Sequence, residues 1–292
     1  MNEDNSETLI KEEINLQYHW YMLSFFIIYF GSLIVPIILL MSYIMLFYLP
    51  QFLNINDFFL LFTRMESLLA SIFLPIVIIA AYLIHVLFVG IITRWHWNIT
   101  EKRVPSKSGI IPRNIPSKTQ NYYHIRSFMI KYPKNAVLRG PFPWLIRWLY
   151  NFVGSSSIGK KSVIEEQFGA GRFVEMGKNC YFGVNGAISS HAVEGIFGNI
   201  SYFKVNIGDN VAASAFNCVA PGVEIGNNAA ILPMTGMTKH NKLKGDNYYF
   251  GAPARRIFTK KIKNYLQVSE EDLEKVKTTW IEKQIQNEDN KS

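Results

Sequence analysis

Cysteine is scarce in this chain, since only Cys180 and Cys218 occur among 292 residues. Neither has a second cysteine or a histidine nearby at the spacing of a metal site, so packing explains them better than metal binding. A reducing compartment would keep both as thiols.

Charged residues are missing from two long stretches, residues 21–49 and 67–93. Each exceeds the roughly 20 apolar residues that span a bilayer, so the sequence predicts two transmembrane helices. Residues 50–66 are then a short external loop. Residues 1–20 are rich in acidic side chains, which favours a cytoplasmic amino-terminal segment over a signal peptide.

Acidic residues are nearly absent after the second stretch: residues 94–147 contain eleven Lys or Arg and only Glu101. Because cationic loops stay on the cytoplasmic side, this asymmetry predicts that the rest of the chain is cytoplasmic. Aromatic residues are interleaved with the cations, as is typical of the headgroup zone, so residues 94–154 are predicted to be a basic interfacial linker. Within it, residues 120–131 and 143–152 favour short amphipathic helices on the membrane. No nucleic-acid module is recognisable, and membrane lipid is the expected partner.

An apolar residue recurs at nearly every sixth position of residues 155–258. The key positions are Ile158, Ile164, Ala170, Met176, Phe182, Ile188, Ile207, Ala213, Val219, Ile225, Ile231, Met237 and Leu243. This period predicts a solenoid in which each hexad is one short strand and a turn, with three hexads in each of four to five coils. The step from Glu194 to Ile207 is one residue longer than two hexads. It predicts that the chain leaves the coil as a loop at residues 195–206, where solenoids tend to build binding surfaces.

Four segments carry a resemblance to a known family. They are Ser190-His191-Ala192-Val193-Glu194-Gly195, residues 205–211, residues 221–226, and Gly251-Ala252-Pro253-Ala254-Arg255. Together with the repeats they resemble the left-handed β-helix hexapeptide acyltransferases, and residues 122–160 are similar to the membrane-flanked carboxy-terminal domains of polylysine-synthetase-like proteins. The implied fold is a membrane α-hairpin, an all-β left-handed parallel β-helix and a C-terminal α-helix within residues 259–292. The resemblance also implies acyl-CoA as co-substrate, no metal, and a homotrimer with acyl-CoA between two subunits.

The resemblance places the general base at His191. Acyl transfer from a thioester needs a group that takes the proton of the incoming hydroxyl or amine, and histidine suits this at neutral pH. Glu194 is expected to orient the imidazole and raise its basicity. In the competing interpretation both are solvated turn residues, and His240 is the next candidate base. His85, inside the second predicted span, is either a functional group or a neutral contact to the partner helix.

Candidate contacts for the phosphates of acyl-CoA are Gly251, Ala252, Pro253, Ala254, Arg255, Lys239, Lys242 and Lys244. The expected acceptor is a hydroxyl or amine linked to the membrane or the cell envelope. Two other functions remain possible from the sequence, a noncatalytic trimeric β-helix scaffold and a carbonic-anhydrase-like protein. The second is disfavoured because that family uses three histidines around zinc, and the repeats contain only His191 and His240.

Overall fold

The computed structural model of the protein describes residues 18–53, 59–113, 115–165, 167–168, 171–194, 198–257 and Glu271. The predicted C-terminal helix lies, apart from Glu271, outside the described residues, as does the key position Ala170. Along the described chain, an apolar helical hairpin is followed by a layer of short helices and then by a parallel β-helix.

Two long helices form the hairpin. They are α1 (Tyr18–Tyr43), extended by a π-helical turn (Ile44–Tyr48) and α2 (Leu49–Leu53), and α4 (Met65–Arg103), preceded by α3 (Leu60–Thr63). The helical stretches Tyr18–Gln51 and Met65–Arg103 are each long and apolar enough to cross a membrane. The second helix continues past the predicted end of the span at residue 93, so the start of the predicted linker is helical.

The packing of the hairpin leaves its outer surface apolar. Ile28 is fully buried, and a Cβ at Gly31 would come within 2.9 Å of the Ile92 side chain, so glycine permits close approach of α1 and α4. On the outer faces, Ile34 and Ile72 are more than half exposed. Large exposed apolar surfaces of this kind mark membrane or protein contacts.

Residues 104–154 form a folded layer, which differs from the predicted linker. The layer contains β1 (Gly109–Ile111), α5 (Lys118–Met129), α6 (Lys131–Leu138), a 3-10 turn (Pro143–Leu145) and α7 (Ile146–Val153). Ser117 caps α5, because its side chain accepts a hydrogen bond from the Gln120 amide at 3.1 Å. Met129 and Leu149 belong to one hydrophobic core that also contains side chains of the hairpin and of the coils. The apolar faces of these helices are therefore buried against protein.

Three parallel sheets form the faces of the β-helix. The first contains β2 (Ser157–Ile158), β5 (Val174–Met176), β10 (Val205–Ile207), β13 (Glu224–Ile225) and β16 (Lys242–Leu243). The second contains β3 (Val163–Ile164), β6 (Tyr181–Phe182), β11 (Ala212–Ala213), β14 (Ala230–Ile231) and β17 (Tyr248–Phe250), with β18 (Arg255–Ile257) added antiparallel. The third contains β4 (Gln167–Phe168), β7 (Gly186–Ile188), β12 (Cys218–Val219) and β15 (Gly236–Met237).

The register confirms the hexapeptide prediction. Ile207 pairs with Ile225, and Ile225 pairs with Leu243, so successive coils are three hexads apart. Every key position that the structure describes is buried. The left-handed sense of the coil stays a prediction.

A β-hairpin interrupts the coil, formed by β8 (His191–Glu194) and β9 (Asn199–Tyr202), with β1 paired along β9. Val174 pairs with Val205, which is thirteen residues farther along the chain than the three-hexad spacing between the other coils. The insertion therefore adds thirteen residues to this coil. The chain leaves the coil before His191, earlier than the predicted exit at residue 195. The prediction was late because Glu194 was counted as part of the six-residue register, whereas it belongs to a strand with a two-residue period.

Candidate active site

His191 opens the outgoing strand of the inserted hairpin. The Ser189 hydroxyl donates to the His191 carbonyl at 2.6 Å and lies 3.3 Å from Nδ1 of the ring. Because that hydroxyl proton is used, its oxygen can accept from Nδ1, which favours the tautomer with the proton on Nδ1. Nε2 then carries the lone pair that a general base needs.

Glu194 does not orient His191, which corrects the predicted dyad. Side chains of a strand alternate between its two faces, and the odd-numbered members of β8, His191 and Val193, line one cavity. Glu194 lies on the other face, where it forms an ion pair with Lys239 and accepts a hydrogen bond from the Ser201 hydroxyl. These contacts lower the pKa of the Glu194 carboxyl, with the hydrogen bond from Lys239 as the main cause.

The cavity beside His191, called here the His191 cavity, has a volume of about 430 Å³. It lies between the inserted β-hairpin, formed by β8 and β9, and helices α5 and α6. Its basic lining side chains are Arg113, His124, Lys131, Lys134, Arg172 and His191. No carboxylate is among the lining residues in the described part of the chain. The charge of the cavity lining is therefore positive.

Arg172 is the most deeply buried of these cations, with no exposed surface. Its Nη1 donates to the Tyr123 carbonyl at 3.1 Å, and its guanidinium lies 4.3 Å from the centroid of the Tyr123 ring and 5.2 Å from that of Tyr202. Cation–π contacts of this kind partly compensate the loss of hydration. Within the described residues, Nε and Nη2 have no hydrogen-bond partner.

The two histidines of the cavity are neutral at physiological pH. Burial, followed by the charge of Arg172, lowers the pKa of His191 from 6.5 to about 4. Burial, followed by the charges of Arg113 and Arg172, lowers the pKa of His124 to about 4. A neutral imidazole can accept a proton, although a pKa this low makes it a weaker base than an unperturbed histidine.

The residues predicted to contact acyl-CoA lie elsewhere on the chain. Lys239 is bound to Glu194 and to Ser201 Oγ at 2.8 Å. The closing motif forms the turn after β17 and the first residue of β18, and its residues Ala252, Pro253 and Arg255 are exposed. None of these residues lines the His191 cavity.

The other histidines singled out by the sequence have packing contacts. His85 Nδ1 lies 3.3 Å from the Ser32 carbonyl, and its Nε2 lies 3.0 Å from the Tyr132 hydroxyl, so both ring nitrogens have partners. His240 packs edge-on against Phe203 with ring centroids 4.4 Å apart. In the described residues no group of three metal-ligating side chains occurs.

Sequence reasoning missed the cationic members of the cavity. Arg172 sits in a repeat, and His124, Lys131 and Lys134 were interpreted as parts of a membrane-facing segment. The available signal was a basic residue two positions after the predicted key position Ala170. Nothing in the sequence indicates that α5 and α6 fold against the inserted β-hairpin.

No family model matches the chain. The sequence is similar to the putative acetyltransferase YvoF of Bacillus subtilis (strain 168), with 28% identity over 124 residues, which cover 41% of this chain and 70% of that protein. The narrower resemblance to polylysine-synthetase-like proteins stays a prediction.

Solved structures similar to this one include the hexapeptide-repeat acetyltransferase VCA0836 from Vibrio cholerae, with a TM-score of 0.33 and 17% identity over 37% of this chain and 64% of that one. A maltose O-acetyltransferase from Clostridium difficile 630 has a TM-score of 0.31 and 20% identity over 38% of this chain and 74% of that one. The serine acetyltransferase of Neisseria gonorrhoeae has a TM-score of 0.34 and 13% identity over 60% of this chain and 53% of that one. The chain thus spans less than two thirds of the first and the third of these structures.

Proposed function

We propose that this protein is a membrane-anchored acyltransferase. It transfers an acyl group from acyl-CoA, or from an activated aminoacyl donor, to a hydroxyl or amine of a membrane-linked or envelope acceptor. The observation that carries the proposal is the neutral His191 imidazole, which faces a cavity at the one insertion into the described hexapeptide coils. The similarity to a putative acetyltransferase over 70% of that relative's length supports acyl transfer as the reaction.

In the proposed reaction, the acceptor oxygen or nitrogen attacks the thioester carbonyl while His191 Nε2 takes its proton. The carbon–sulfur bond then breaks as the tetrahedral intermediate collapses. The imidazolium returns the proton to the leaving thiolate, so the products are the acylated acceptor and free CoA. A positioned base of this kind contributes about 10² to 10⁴ in rate.

Membrane anchoring is proposed on the two long helices and their exposed apolar faces. The eleven cations among residues 94–147 support a cytoplasmic β-helix.

We also propose a homotrimer in which a neighbouring subunit brings the closing motif to the His191 cavity. Arg255 does not line the cavity of its own chain, so the trimer is proposed to bring donor and base together across an interface. Cyclic symmetry is the usual way for identical chains to close such contacts.

The experiment uses the full chain, purified in mild detergent, with radiolabelled acetyl-CoA and total membrane lipid as acceptor. His191→Asn should reduce label transfer about 10²-fold or more while the melting temperature stays near that of the wild type. His240→Asn is the matched control, since it removes a histidine of the same β-helix outside the cavity. Wild-type transfer by the His191 variant would contradict the assignment of the base, and absence of transfer by the wild type would favour a scaffold.

A further inference from the structure

Unsatisfied polar atoms concentrate around the His191 cavity. Among the described residues, ten buried side-chain nitrogen or oxygen atoms have no hydrogen-bond partner, and half of them belong to residues that line this cavity. They are Arg113 Nε, His124 Nε2, Ser127 Oγ, and Nε and Nη2 of Arg172. Buried polar groups usually have hydrogen-bond partners, so these atoms are available to a ligand that enters the cavity.

A second buried arginine shows what Arg172 lacks. Arg126 is 2% exposed, and its Nη1 lies 2.9 Å from a carboxylate oxygen of Glu101. Arg172 has no carboxylate within ion-pair distance among the described residues, although it is buried more deeply. A buried cation without an anion is unfavourable, which points to an anionic ligand as the partner of Arg172.

The unpaired edge of the Arg172 guanidinium indicates which kind of anion it can bind. Nε and Nη2 form one side of the planar guanidinium, which binds two oxygens of one phosphate or carboxylate at once. In this structure the edge is covered, so contact with a ligand requires movement of a cavity side chain. Lys131 and Lys134, which also line the cavity, add two further positive charges. Several cations favour the more highly charged phosphate.

The place of the cavity in the molecule indicates where that phosphate comes from. The Phe128 ring lies 4.4 Å from the ring of Tyr21, and Lys131 Nζ lies 5.9 Å from the same ring centroid. Tyr21 is in the first turn of α1, at the cytoplasmic end of the proposed first span. The cationic cavity is therefore next to the level of lipid headgroups.

We propose that the His191 cavity binds a phosphate group carried by a membrane-lipid acceptor, through Arg172, Lys131 and Lys134. This inference rests on the proposed acyltransferase function and names the class of its acceptor, an anionic phospholipid or a lipid-linked phosphate ester. The bound phosphate would fix the acceptor beside His191. It would also offset the nearby positive charge that disfavours a protonated imidazole.

The test measures binding without any acyl donor, so that it is independent of catalysis. The full chain in dodecyl maltoside is titrated with dioctanoyl phosphatidic acid, with dioctanoylglycerol as the uncharged control and inorganic pyrophosphate as a competitor. We expect phosphatidic acid to bind, pyrophosphate to displace it, and dioctanoylglycerol to bind at least ten-fold more weakly. Equal binding of the two lipids would overturn the proposal, and displacement by CoA as effective as that by pyrophosphate would assign the site to the donor instead.

Substitutions locate the site. Lys131→Gln with Lys134→Gln should weaken phosphatidic acid binding about ten-fold or more. Lys178→Gln, which removes an exposed lysine outside the cavity, should leave binding unchanged. Arg172→Lys keeps the charge but loses the two-pronged edge, and it should also weaken binding. If the double lysine variant is folded and binds as the wild type does, the proposal is wrong. His191→Asn should retain phosphatidic acid binding while losing transfer, which separates failure of the binding site from failure of the base.

Discussion

Glu194 and Lys239 form an ion pair that ties the inserted hairpin to a late coil of the β-helix. Ser201, on the returning strand, contacts both side chains. The sequence predicted that Glu194 would orient His191 and that Lys239 would contact acyl-CoA. In the structure the two side chains bind each other instead. Both residues therefore position the hairpin, and through it the His191 cavity.

The first prediction concerns Glu194→Gln. Because Glu194 does not contact the imidazole, the pH dependence of acyl transfer should stay as in the wild type. The substitution should instead loosen the hairpin and raise amide hydrogen exchange at β8 and β9. Exchange measured by mass spectrometry, beside a pH–rate profile, checks both parts. Lys239→Met should give the same pattern, and a shifted pH profile in Glu194→Gln would restore the predicted dyad.

The second prediction concerns stability at low pH. The pKa values of His191 and His124 in the folded protein, about 4, lie below the ordinary value of 6.5, so the unfolded chain binds protons more readily. The contribution of the two neutral histidines to the free energy of unfolding is complete above pH 6.5, and it is lost as the pH falls toward 4. The melting temperature of the wild type should fall over this pH window. That of the double variant His124→Asn, His191→Asn should fall less. Val193→Ala, which alters the same cavity without removing a titrating group, should follow the wild type. A double variant as pH-sensitive as the wild type would contradict the assignment.

The third prediction concerns membrane topology and uses the native thiols. Cys218 is exposed and Cys180 is buried, so a membrane-impermeant maleimide should label Cys218 alone in the folded protein. With the β-helix in the cytoplasm, labelling should occur in inverted vesicles and be absent in right-side-out vesicles. Cys218→Ser is the control and should abolish labelling. Labelling in sealed right-side-out vesicles would place the β-helix outside.

The fourth prediction concerns the donor site. Arg255 is exposed, and if it contacts a phosphate of acyl-CoA, Arg255→Glu should raise KM for the donor about ten-fold, equivalent to roughly 1.4 kcal/mol. Lys178→Gln, which removes an exposed lysine outside the predicted donor contacts, is the control for a general loss of positive charge. Steady-state kinetics, together with cross-linking in mild detergent, test the donor contact and the trimer. An unchanged KM would remove Arg255 from the site, and a monomer would remove the inter-subunit arrangement.

The sequence predicted the repetitive parts of the fold because their physics is local. An apolar residue at every sixth position can be buried only if each hexad turns in the same way, and Phe182, Ile231 and the other described key positions are buried as expected. The two long apolar helices followed from the absence of charge. The presence of helices near residues 120 and 146 also followed from local pattern, but not the surface against which they pack.

The sequence by itself determined the parallel coils, the helical hairpin and the presence of an insertion between Ile188 and Ile207. Only the tertiary structure decided which side chains surround His191. Because side chains alternate along β8, Glu194 lies on the face where it binds Lys239. The packing of α5 and α6 places His124 and Lys131 in the same cavity as Arg172, which is distant from them along the chain. A repeat reports contacts between neighbouring coils, whereas this cavity is built from contacts between elements that share no periodicity, and such contacts leave no pattern in a single sequence.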